Sequence, residues 1–473
     1  MKDTKYFTLF LPLGISLFLI GDPVYSYLSA WIGSFFLLYL SITGYIKPLP
    51  KDLSFIQQIM RPLFLIQTIF CGFNFCSSIF FFLEALGMNE FAWQPNFLVD
   101  YEKVKLIATC QRYYLLGHIF LLIGLYYKPI GEKKILYRLT DKVSWDDFLM
   151  LLTASAFVVS ILMKFIPGMS QITQQMTGLS FFCGTYLLSN SIISKNNTKI
   201  WISSLFYGFN FLQNMLAGFK EPLIVSLLLL GIFLYPYYRK LILYLSLPFL
   251  YVSFFLIPAY VSTFRQLSGN SDGLNVTEIR DKAIDAALEN KESNWAFLVG
   301  RLSEIGMFTK YVSTTPEKVP FYNTKIVEQS LLSLLPRIFF PDKPITEILV
   351  MQRVFDAGVV NNISKVSAKP MYIVDGYLSL GELGVMISLF IYGFSCQFIC
   401  DLAERWFGGY TLGTTIFFNG MFQIFWRGLS FEFILNSVLY SLFTMWVIRN
   451  ILYRYGLLDK IYDDENIAHN TVI

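Results

Sequence analysis

The chain has 473 residues, of which 55% are hydrophobic and only 15% are charged. Soluble domains carry about 25% charged residues, so a water-soluble fold of this composition would expose far more apolar surface than its core could bury, and that class is excluded. The formal net charge of +4 is small, and the basic residues form no stripe interleaved with aromatics, which argues against nucleic-acid binding.

The first apolar stretch begins at the N-terminus. Lys2 and Lys5 precede an apolar run that ends near Gly21, as in a signal peptide, but no small-residue cleavage site follows convincingly. We therefore expect a retained first helix. The cysteine and histidine residues show no metal-ligand spacing and no cysteine lies in the long loop defined below, so we expect neither a metal site nor a disulfide framework.

Twelve stretches have the length and apolarity of a membrane-spanning helix, which needs about 20 mostly apolar residues. The predicted fold class is therefore an all-α polytopic membrane protein with about 12 transmembrane helices. The weakest candidates are 221–237 and 410–426, which are short and flanked by polar residues. The predicted spans are 6–22, 24–46, 62–86, 106–127, 148–167, 172–193, 198–218, 221–237, 241–263, 377–400, 410–426 and 433–453.

The loops between these spans alternate in charge. If the N-terminus is cytoplasmic, the cytoplasmic loops hold most of the loop Lys and Arg residues. The short outer loops are nearly bare, since Asp22 stands alone in the first and the turn near Gly168 has no charge. This is the positive-inside distribution of membrane proteins. It predicts an even number of spans with both termini in the cytoplasm.

One segment interrupts this alternation, because no spanning helix occurs between about Thr263 and Lys369. A segment of this length is too long for a simple connector. The predicted organisation is a membrane domain of about nine spans over 1–263, a large extracytoplasmic loop over 264–370 and a membrane domain of about three spans over 371–473. The apolar part of the loop, 330–340, is too short to span a bilayer, so we expect the loop to contain short or interfacial helices.

Charged residues at the outer face depart from the positive-inside rule. Each has a plainer reading as a turn pair, a snorkelling cation, an i, i+3 helix pair or an anchor. That reading is weakest for Arg337, because apolar neighbours on both sides make a free guanidinium costly. Together they predict a cationic mouth for a lipid-linked diphosphate, since Arg binds phosphate bidentately. The residues are Lys220 with Glu221, Arg265, Arg301 with Glu304, Arg337, and Arg427 with Glu432.

Amide and aromatic side chains occur at the same predicted face. Amides can hydrogen-bond sugar hydroxyls and aromatic rings can stack on sugar rings, although interhelical hydrogen bonding is the plainer reading of an amide in a membrane. The amides are Gln171, Gln174, Gln175, Asn210, Gln213, Asn214, Asn419 and Gln423. The aromatic residues are Trp295, Tyr311, Tyr322 and Tyr377.

The segment Leu335-Pro-Arg-Ile-Phe-Phe-Pro-Asp-Lys-Pro344 resembles a periplasmic-loop motif of the bacterial O-antigen polymerases, the Wzy-type oligosaccharide repeat-unit polymerases. In that family Pro-Arg is followed by three apolar residues and then Pro-Asp-Lys-Pro. Phe340 stands where the family commonly has Trp. Looser similarities occur at Gly376–Gly384, Gly300-Arg301 and Gly218–Glu221, so the resemblance covers about 220–400 in motif and the whole chain in layout.

The resemblance implies a glycosyltransferase of the bacterial inner membrane, without a cofactor, that makes O-antigen or a related surface polysaccharide. It would join polyprenyl-diphosphate-linked oligosaccharides on the periplasmic face, with polyprenyl diphosphate as the leaving group. Arg265, Arg301 and Arg337 are then expected to stabilise the diphosphate, and Glu304 or Glu382 to act as the base. Residues expected to support substrate binding are Lys220, Glu221, Lys343, Lys369, Arg427 and Tyr377.

Other functions stay open at this point. An O-antigen ligase shares the layout but usually places a His in the large loop, where this chain has none. A lipid-linked oligosaccharide flippase, which is a transporter, would be expected to show pseudo-repeated halves, and no repeat is visible. A pure scaffold would give no reason for Arg337 in an apolar segment. A chain-length regulator and a flippase are the protein partners that the polymerase reading implies.

Overall fold

The computed structural model describes most of the chain, and all structural statements below concern the described residues. It is mostly helical. The described residues are 3–50, 53, 56–127, 135–166, 168–216, 220–251, 260, 278, 280–282, 284–285, 295–296, 298–335, 340, 342–361 and 368–461.

The N-terminal part of the chain forms ten α-helices. Several begin where the sequence supplies a capping side chain: the carboxylate of Asp22 accepts hydrogen bonds from two backbone N–H groups of the second helix, and Asp100 does the same for the fifth. These caps satisfy N–H groups that a helix start leaves without partners. The helices are α1 (Leu11–Phe18), α2 (Pro23–Ile42), α3 (Pro62–Cys71), α4 (Ser78–Ala85), α5 (Tyr101–Tyr126), α6 (Trp145–Met163), α7 (Ser170–Ile193), α8 (Asn197–Leu216), α9 (Lys220–Leu234) and α10 (Arg239–Tyr251).

Seven further α-helices follow in the described part of the chain. Three of them are short and fall within the predicted outer loop, and they are α11 (Ile305–Thr314), α12 (Lys325–Ser333) and α13 (Thr346–Asp356). The remaining four are α14 (Tyr372–Trp406), α15 (Asn419–Met421), α16 (Ile424–Arg427) and α17 (Phe431–Arg454). Short 3₁₀ or π segments are Asp3–Leu9, Gln57–Met60, Gly72–Cys76, Leu298–Leu302 and Tyr410–Phe418.

Six helical segments of the described chain are long and apolar enough to cross a membrane. The prediction of a helical membrane protein is thereby confirmed at this coarser level. The predicted span 241–263 lies partly outside the described residues, and the other predicted spans fall on helices that are shorter, less apolar or interrupted, so the count of twelve stays a prediction. The six segments are Pro23–Ile42, Pro62–Ala85, Tyr101–Tyr126, Trp145–Met163, Tyr372–Trp406 and Phe431–Arg454.

The centre of the bundle is the contact between α5 and α14, which lie side by side in the same direction. Two glycines allow their backbones to touch. A Cβ atom on Gly124 would lie 2.3 Å from the carbonyl oxygen of Phe390, and one on Gly393 would lie 2.2 Å from that of Leu121. Small residues at such positions are a common means of packing helices in membranes, where dispersion contacts replace the hydrophobic effect.

α14 is broken in its N-terminal part. Leu380 and Gly381 have non-helical backbone angles, and Gly381 has φ +62°, a value that favours glycine. At the same bend a Cβ atom on Gly384 would lie 1.9 Å from the carbonyl oxygen of Gly376. The motif Gly376–Gly384 is therefore a backbone bend, and the predicted span 377–400 is corrected to a longer helix with a break inside it.

The break leaves the last carbonyl groups of the first half of α14 without helical partners. The helices α11–α13 and the segments that join them, called the outer layer below after their predicted location, supply those partners. The backbone N–H groups of Tyr322 and Asn323 donate to the carbonyls of Leu378 at 2.9 Å and Ser379 at 3.0 Å. The segment that leads into α12 is thus bonded to the bend of a membrane helix.

Two small antiparallel sheets lie outside the helices. In the first, β1 (Met88–Asn89) pairs with β2 (Ala92–Trp93). In the second, β3 (Tyr137–Leu139) pairs with β4 (Leu458–Lys460), with Tyr137 opposite Lys460. The second sheet joins the segment after α5 to the segment after α17, and the charge alternation predicts both segments to be cytoplasmic.

His118 lies fully buried in α5 and links three membrane helices. Its Nδ1 is 2.5 Å from the hydroxyl of Ser34 on α2, and its Nε2 is 3.3 Å from Oε1 of Gln67 on α3. An amide oxygen can only accept hydrogen bonds, so Nε2 carries the proton and donates to Gln67, and Nδ1 accepts from Ser34. The same Oε1 also accepts a hydrogen bond from Ser41 at 3.2 Å. The interaction pattern indicates a neutral histidine that holds helices together.

Candidate functional site

Three charged side chains form a buried ion cluster where the outer layer meets the membrane helices. Arg353 of α13 donates to both carboxylate oxygens of Glu432, at 2.7 Å and 3.0 Å. Its second terminal nitrogen also lies 3.2 Å from Oδ1 and 3.3 Å from Oδ2 of Asp375. Arg353 is 2% exposed and both carboxylates are fully buried. The cluster therefore holds one guanidinium and two carboxyl groups away from water.

The helix ends around the cluster match its charges. Asp375 and Glu432 lie in the first turns of α14 and α17, and Arg353 lies in the last turn of α13. Helix N-termini favour anions and C-termini favour cations. Oδ2 of Asp375 also accepts the backbone N–H of Phe431 at 2.9 Å. Burial by itself lowers the pKa of Arg353, but the two carboxylates together raise it by more than burial lowers it. The net pKa is therefore raised and the guanidinium stays charged.

The outer layer is also fastened to α17 near the resemblance motif. The hydroxyl of Ser333 donates to the carbonyl of Glu432 at 3.2 Å, and Asn436 donates to the carbonyl of Ser333 at 3.3 Å. Lys343 of the motif donates to the carbonyls of Ser333 at 2.6 Å and Leu335 at 2.8 Å. Lys343 thus closes the C-terminal end of α12 with its positive charge, and the diphosphate role predicted for it stays a prediction.

Glu304 directly precedes α11 and is partly buried. Burial raises the pKa of its carboxyl group to about 7. The pKa of nearby Tyr311 is raised chiefly by burial and then by the charge of Asp375, with a smaller contribution from Glu304. A carboxyl group whose pKa lies near neutrality can exchange a proton at physiological pH, which is what a general base requires.

Glu382 and Tyr377 lie on either side of the break in α14. Glu382 is exposed and accepts a hydrogen bond from the hydroxyl of Tyr113 on α5. Tyr377 is buried: its hydroxyl donates to the carbonyl of Thr315 at 2.9 Å, and its ring centroid lies 5.8 Å from that of Phe308. Protein contacts thus account for Tyr377, and its predicted stacking on a sugar stays a prediction.

An apolar crevice, partly open to the outside, lies between α3, α14 and α16. Its walls are mostly aliphatic and aromatic. Arg427, at the end of α16, is the charged residue among the described residues that line it. The lining residues are Ile66, Ile69, Phe70, Phe73, Asn74, Met371, Tyr372, Ile373, Leu389, Tyr392, Phe425, Trp426, Arg427 and Gly428. The crevice thus combines a hydrocarbon surface with one cation.

The structure brings only some of the predicted site residues together. Lys343 and the backbone carbonyl of Glu432 both bond to Ser333 at the end of α12. Lys369 lies with its ammonium group 4.2 Å from the ring centroid of Phe433 on α17. Lys220 and Glu221 begin α9, and Arg301 lies in the π-helix Leu298–Leu302. Arg265 and Arg337 lie outside the described residues, so their predicted roles stay predictions.

Sequence reasoning missed the centre of the buried cluster. Arg353 was not singled out because it lies in a polar amphipathic helix, where a cation needs no explanation. Asp375 was overlooked although it stands beside the glycine motif at the start of a predicted span, where a carboxyl group is costly. That position, with Glu432 at the start of the last span, was the available signal for a charge partner.

No curated protein matches this chain, and no solved structure matches it either. One family model does match, and it covers residues 11–460, which is nearly the whole length. That family is described as a domain of unknown function, DUF8712. Because the match includes both groups of membrane helices and the outer layer between them, the chain belongs to the DUF8712 family.

Proposed function

We propose that this protein is an oligosaccharide repeat-unit polymerase of the bacterial inner membrane. In this role it transfers an oligosaccharide from one polyprenyl diphosphate carrier to a repeat unit on another, at the periplasmic face. The product would be O-antigen or a related surface polysaccharide. The proposal rests on the resemblance of Leu335–Pro344 to the polymerase motif, on the apolar helices, and above all on the crevice that contains Arg427.

The crevice is the observation that carries the proposal. A lipid-linked diphosphate has an isoprenoid tail, which prefers an aliphatic and aromatic surface, and an anionic head, which prefers a guanidinium. The lining supplies both, since Phe70, Phe73 and Phe425 form apolar walls and Arg427 carries the charge.

The chemistry requires a base and a stabilised leaving group. An acceptor hydroxyl gives its proton to a carboxylate, for which Glu304 is the preferred candidate because its pKa lies near 7. The hydroxyl oxygen then bonds to the anomeric carbon, the bond from that carbon to the diphosphate breaks, and the diphosphate leaves with the electron pair. Arg265, Arg301 and Arg337 are proposed to stabilise the charge that develops on it.

The proposed orientation follows from the same reading. The segment 264–370 would face the periplasm and both termini would face the cytoplasm. The substrate would then enter from the outer leaflet, where an upstream flippase delivers it, and a chain-length regulator would be the partner that limits polymer growth. Neither partner needs to be part of the chain itself.

Deletion of the protein tests the proposal in cells. We expect single repeat units on the lipid carrier or on the cell surface, with units still crossing the membrane and long polymer absent. Units trapped on the cytoplasmic leaflet would contradict the proposal and favour a flippase. Polymer that forms normally on the carrier but fails to reach its final acceptor would contradict it too and favour a ligase.

A further inference from the structure

Gln175 is a buried amide that has no hydrogen-bond partner for either its Oε1 or its Nε2 among the described residues. The residue is 3% exposed and lies in the N-terminal half of α7. A buried donor and a buried acceptor without partners each cost stability. Gln175 therefore makes no interhelical hydrogen bond to the described residues.

The position of Gln175 on α7 shows which neighbours it faces. Gly178 is three residues further on and thus on the same face, and a Cβ atom there would lie 2.2 Å from the carbonyl oxygen of Gly420 and 2.9 Å from Nε2 of Gln423. Phe182, one turn deeper on that face, has its ring centroid 5.3 Å from that of Trp426. Gln175 therefore faces the junction between α7 and the short helices α15 and α16.

A second donor without a partner lies at this junction. The indole Nε1 of Trp426 is buried and has no hydrogen-bond partner in the described structure. Trp426 and its neighbour Arg427 also line the apolar crevice. The junction thus presents an amide oxygen, an amide nitrogen and an indole N–H beside the apolar crevice and its cation.

The combination of donor and acceptor selects among ligand classes. Phosphate oxygens at neutral pH only accept hydrogen bonds, so they would leave Oε1 of Gln175 unsatisfied. A hydrocarbon would satisfy neither group. Hydroxyl groups both donate and accept, and an indole ring adds a flat apolar face of the kind on which a sugar ring packs. A carbohydrate next to a lipid diphosphate meets all of these conditions.

We propose that Gln175, Gln423 and Trp426 form a carbohydrate subsite that binds the sugar of a lipid-linked oligosaccharide, next to the diphosphate at Arg427 and the tail in the crevice. This inference rests on the proposed function, and it adds the residues that distinguish a sugar-bearing lipid from its bare carrier. Two hydrogen bonds from Gln175 correspond to roughly a 5- to 100-fold gain in affinity.

The test compares two probes on the purified full-length protein in nanodiscs. One probe is undecaprenyl diphosphate, and the other is the lipid-linked oligosaccharide extracted from cells that lack this protein. Gln175→Leu should weaken binding of the second probe roughly 5- to 100-fold and leave the first unchanged. It should also raise the melting temperature of the ligand-free protein, because it removes two buried groups without partners.

Gln111→Leu is the matched control. Gln111 is also fully buried with both amide atoms lacking partners in the described residues, but it lies on α5 and not at the junction of α7 with α15 and α16. Its replacement should raise the melting temperature and change neither affinity. Gln175→Asn, which keeps the amide on a shorter side chain, should fold like the wild type and show a smaller loss of sugar-dependent affinity than Gln175→Leu.

The outcomes separate the possibilities. If Gln175→Leu is more stable but binds both probes like the wild type, Gln175 binds buried water only and the subsite is overturned. Equal loss for both probes would overturn it as well, because the effect would then not depend on the sugar. Failure of the wild-type protein to bind either probe would overturn both this inference and the proposed function.

Discussion

Replacing Arg353 by Met should weaken the attachment of the outer layer to the membrane helices, so that the two separate locally more often. The substitution keeps most of the side-chain volume but removes the guanidinium that Asp375 and Glu432 share at 2.7–3.3 Å. Both carboxyl groups are fully buried, so neither can regain water without local opening. Breaking a buried ion pair by removing one partner costs about 3–5 kcal/mol.

A second estimate of this loss comes from proton uptake. Without the guanidinium, the two carboxyl groups would be buried negative charges, and binding protons would neutralise them. At pH 7, protonating a carboxyl group of ordinary pKa near 4 costs about 4 kcal/mol, since each pH unit corresponds to 1.36 kcal/mol. One such protonation agrees with the range above. It also means that the loss should shrink by about 1.4 kcal/mol for each unit that the pH is lowered toward 4.

Cysteine labelling measures the opening directly. Val350 lies fully buried on α13, one turn before Arg353, and Val350→Cys introduces a thiol there with little change in volume. If labelling by a water-soluble maleimide requires local opening, a loss of 3–5 kcal/mol should accelerate it roughly 150- to 4,000-fold at pH 7. A background with Cys76→Ser removes the exposed native thiol.

Two comparisons make the result specific. The double variant Arg353→Met with Glu432→Met removes one stranded carboxyl group, so it should label more slowly than Arg353→Met alone. Arg280→Met is the control, because Arg280 is exposed and pairs with the adjacent Asp281. A less than tenfold change for Arg353→Met, or equally fast labelling of the double variant, would refute the buried cluster as the fastening of the outer layer.

Three further predictions follow from the proposed site. Arg337→Lys should reduce polymer formation from lipid-linked repeat units on the order of 30- to 1,000-fold, the equivalent of 2–4 kcal/mol, because Lys cannot bind a diphosphate bidentately; near-normal activity would remove the bidentate contact. Glu304 must be ionised to act as a base, so activity should rise as the pH rises through about 7. The folded state holds the Glu304 proton more tightly than the unfolded state does, so stability should fall as the pH rises from about 4.5 to 7. Glu304→Gln should abolish the rise of activity with pH and reduce the fall in stability, and survival of the activity trend in this variant would exclude Glu304 as the base. Reporter fusions at Lys133 and Lys291 should lie on opposite sides of the membrane, and finding both on one side would contradict the twelve-span topology.

The sequence by itself determined the class of protein and much of its local structure. Hydropathy is a local property, so long apolar stretches identify membrane helices whatever their neighbours are. Helix caps depend on sequence neighbours in the same way, since Asp22 and Asp100 bond the first N–H groups of their own helices, although neither was predicted as a cap. The glycines of Gly376–Gly384 were noted only as a similarity to the polymerase family. The break inside α14 at this motif was not predicted. A glycine permits several backbone conformations, and the residues that bond to the broken end lie elsewhere in the chain.

The candidate site was decided by tertiary structure. Asp375 and Glu432 lie 22 and 79 residues after Arg353 in the sequence. Each of the three residues alone looks like an ordinary charge near a helix end. Their burial becomes visible only when three helix ends converge. The same reason explains Gln175, which sequence reasoning identified as one of eight similar amides. Its unsatisfied donor and acceptor distinguish it, and they depend on which neighbours the packing of α7 against α15 and α16 places around it.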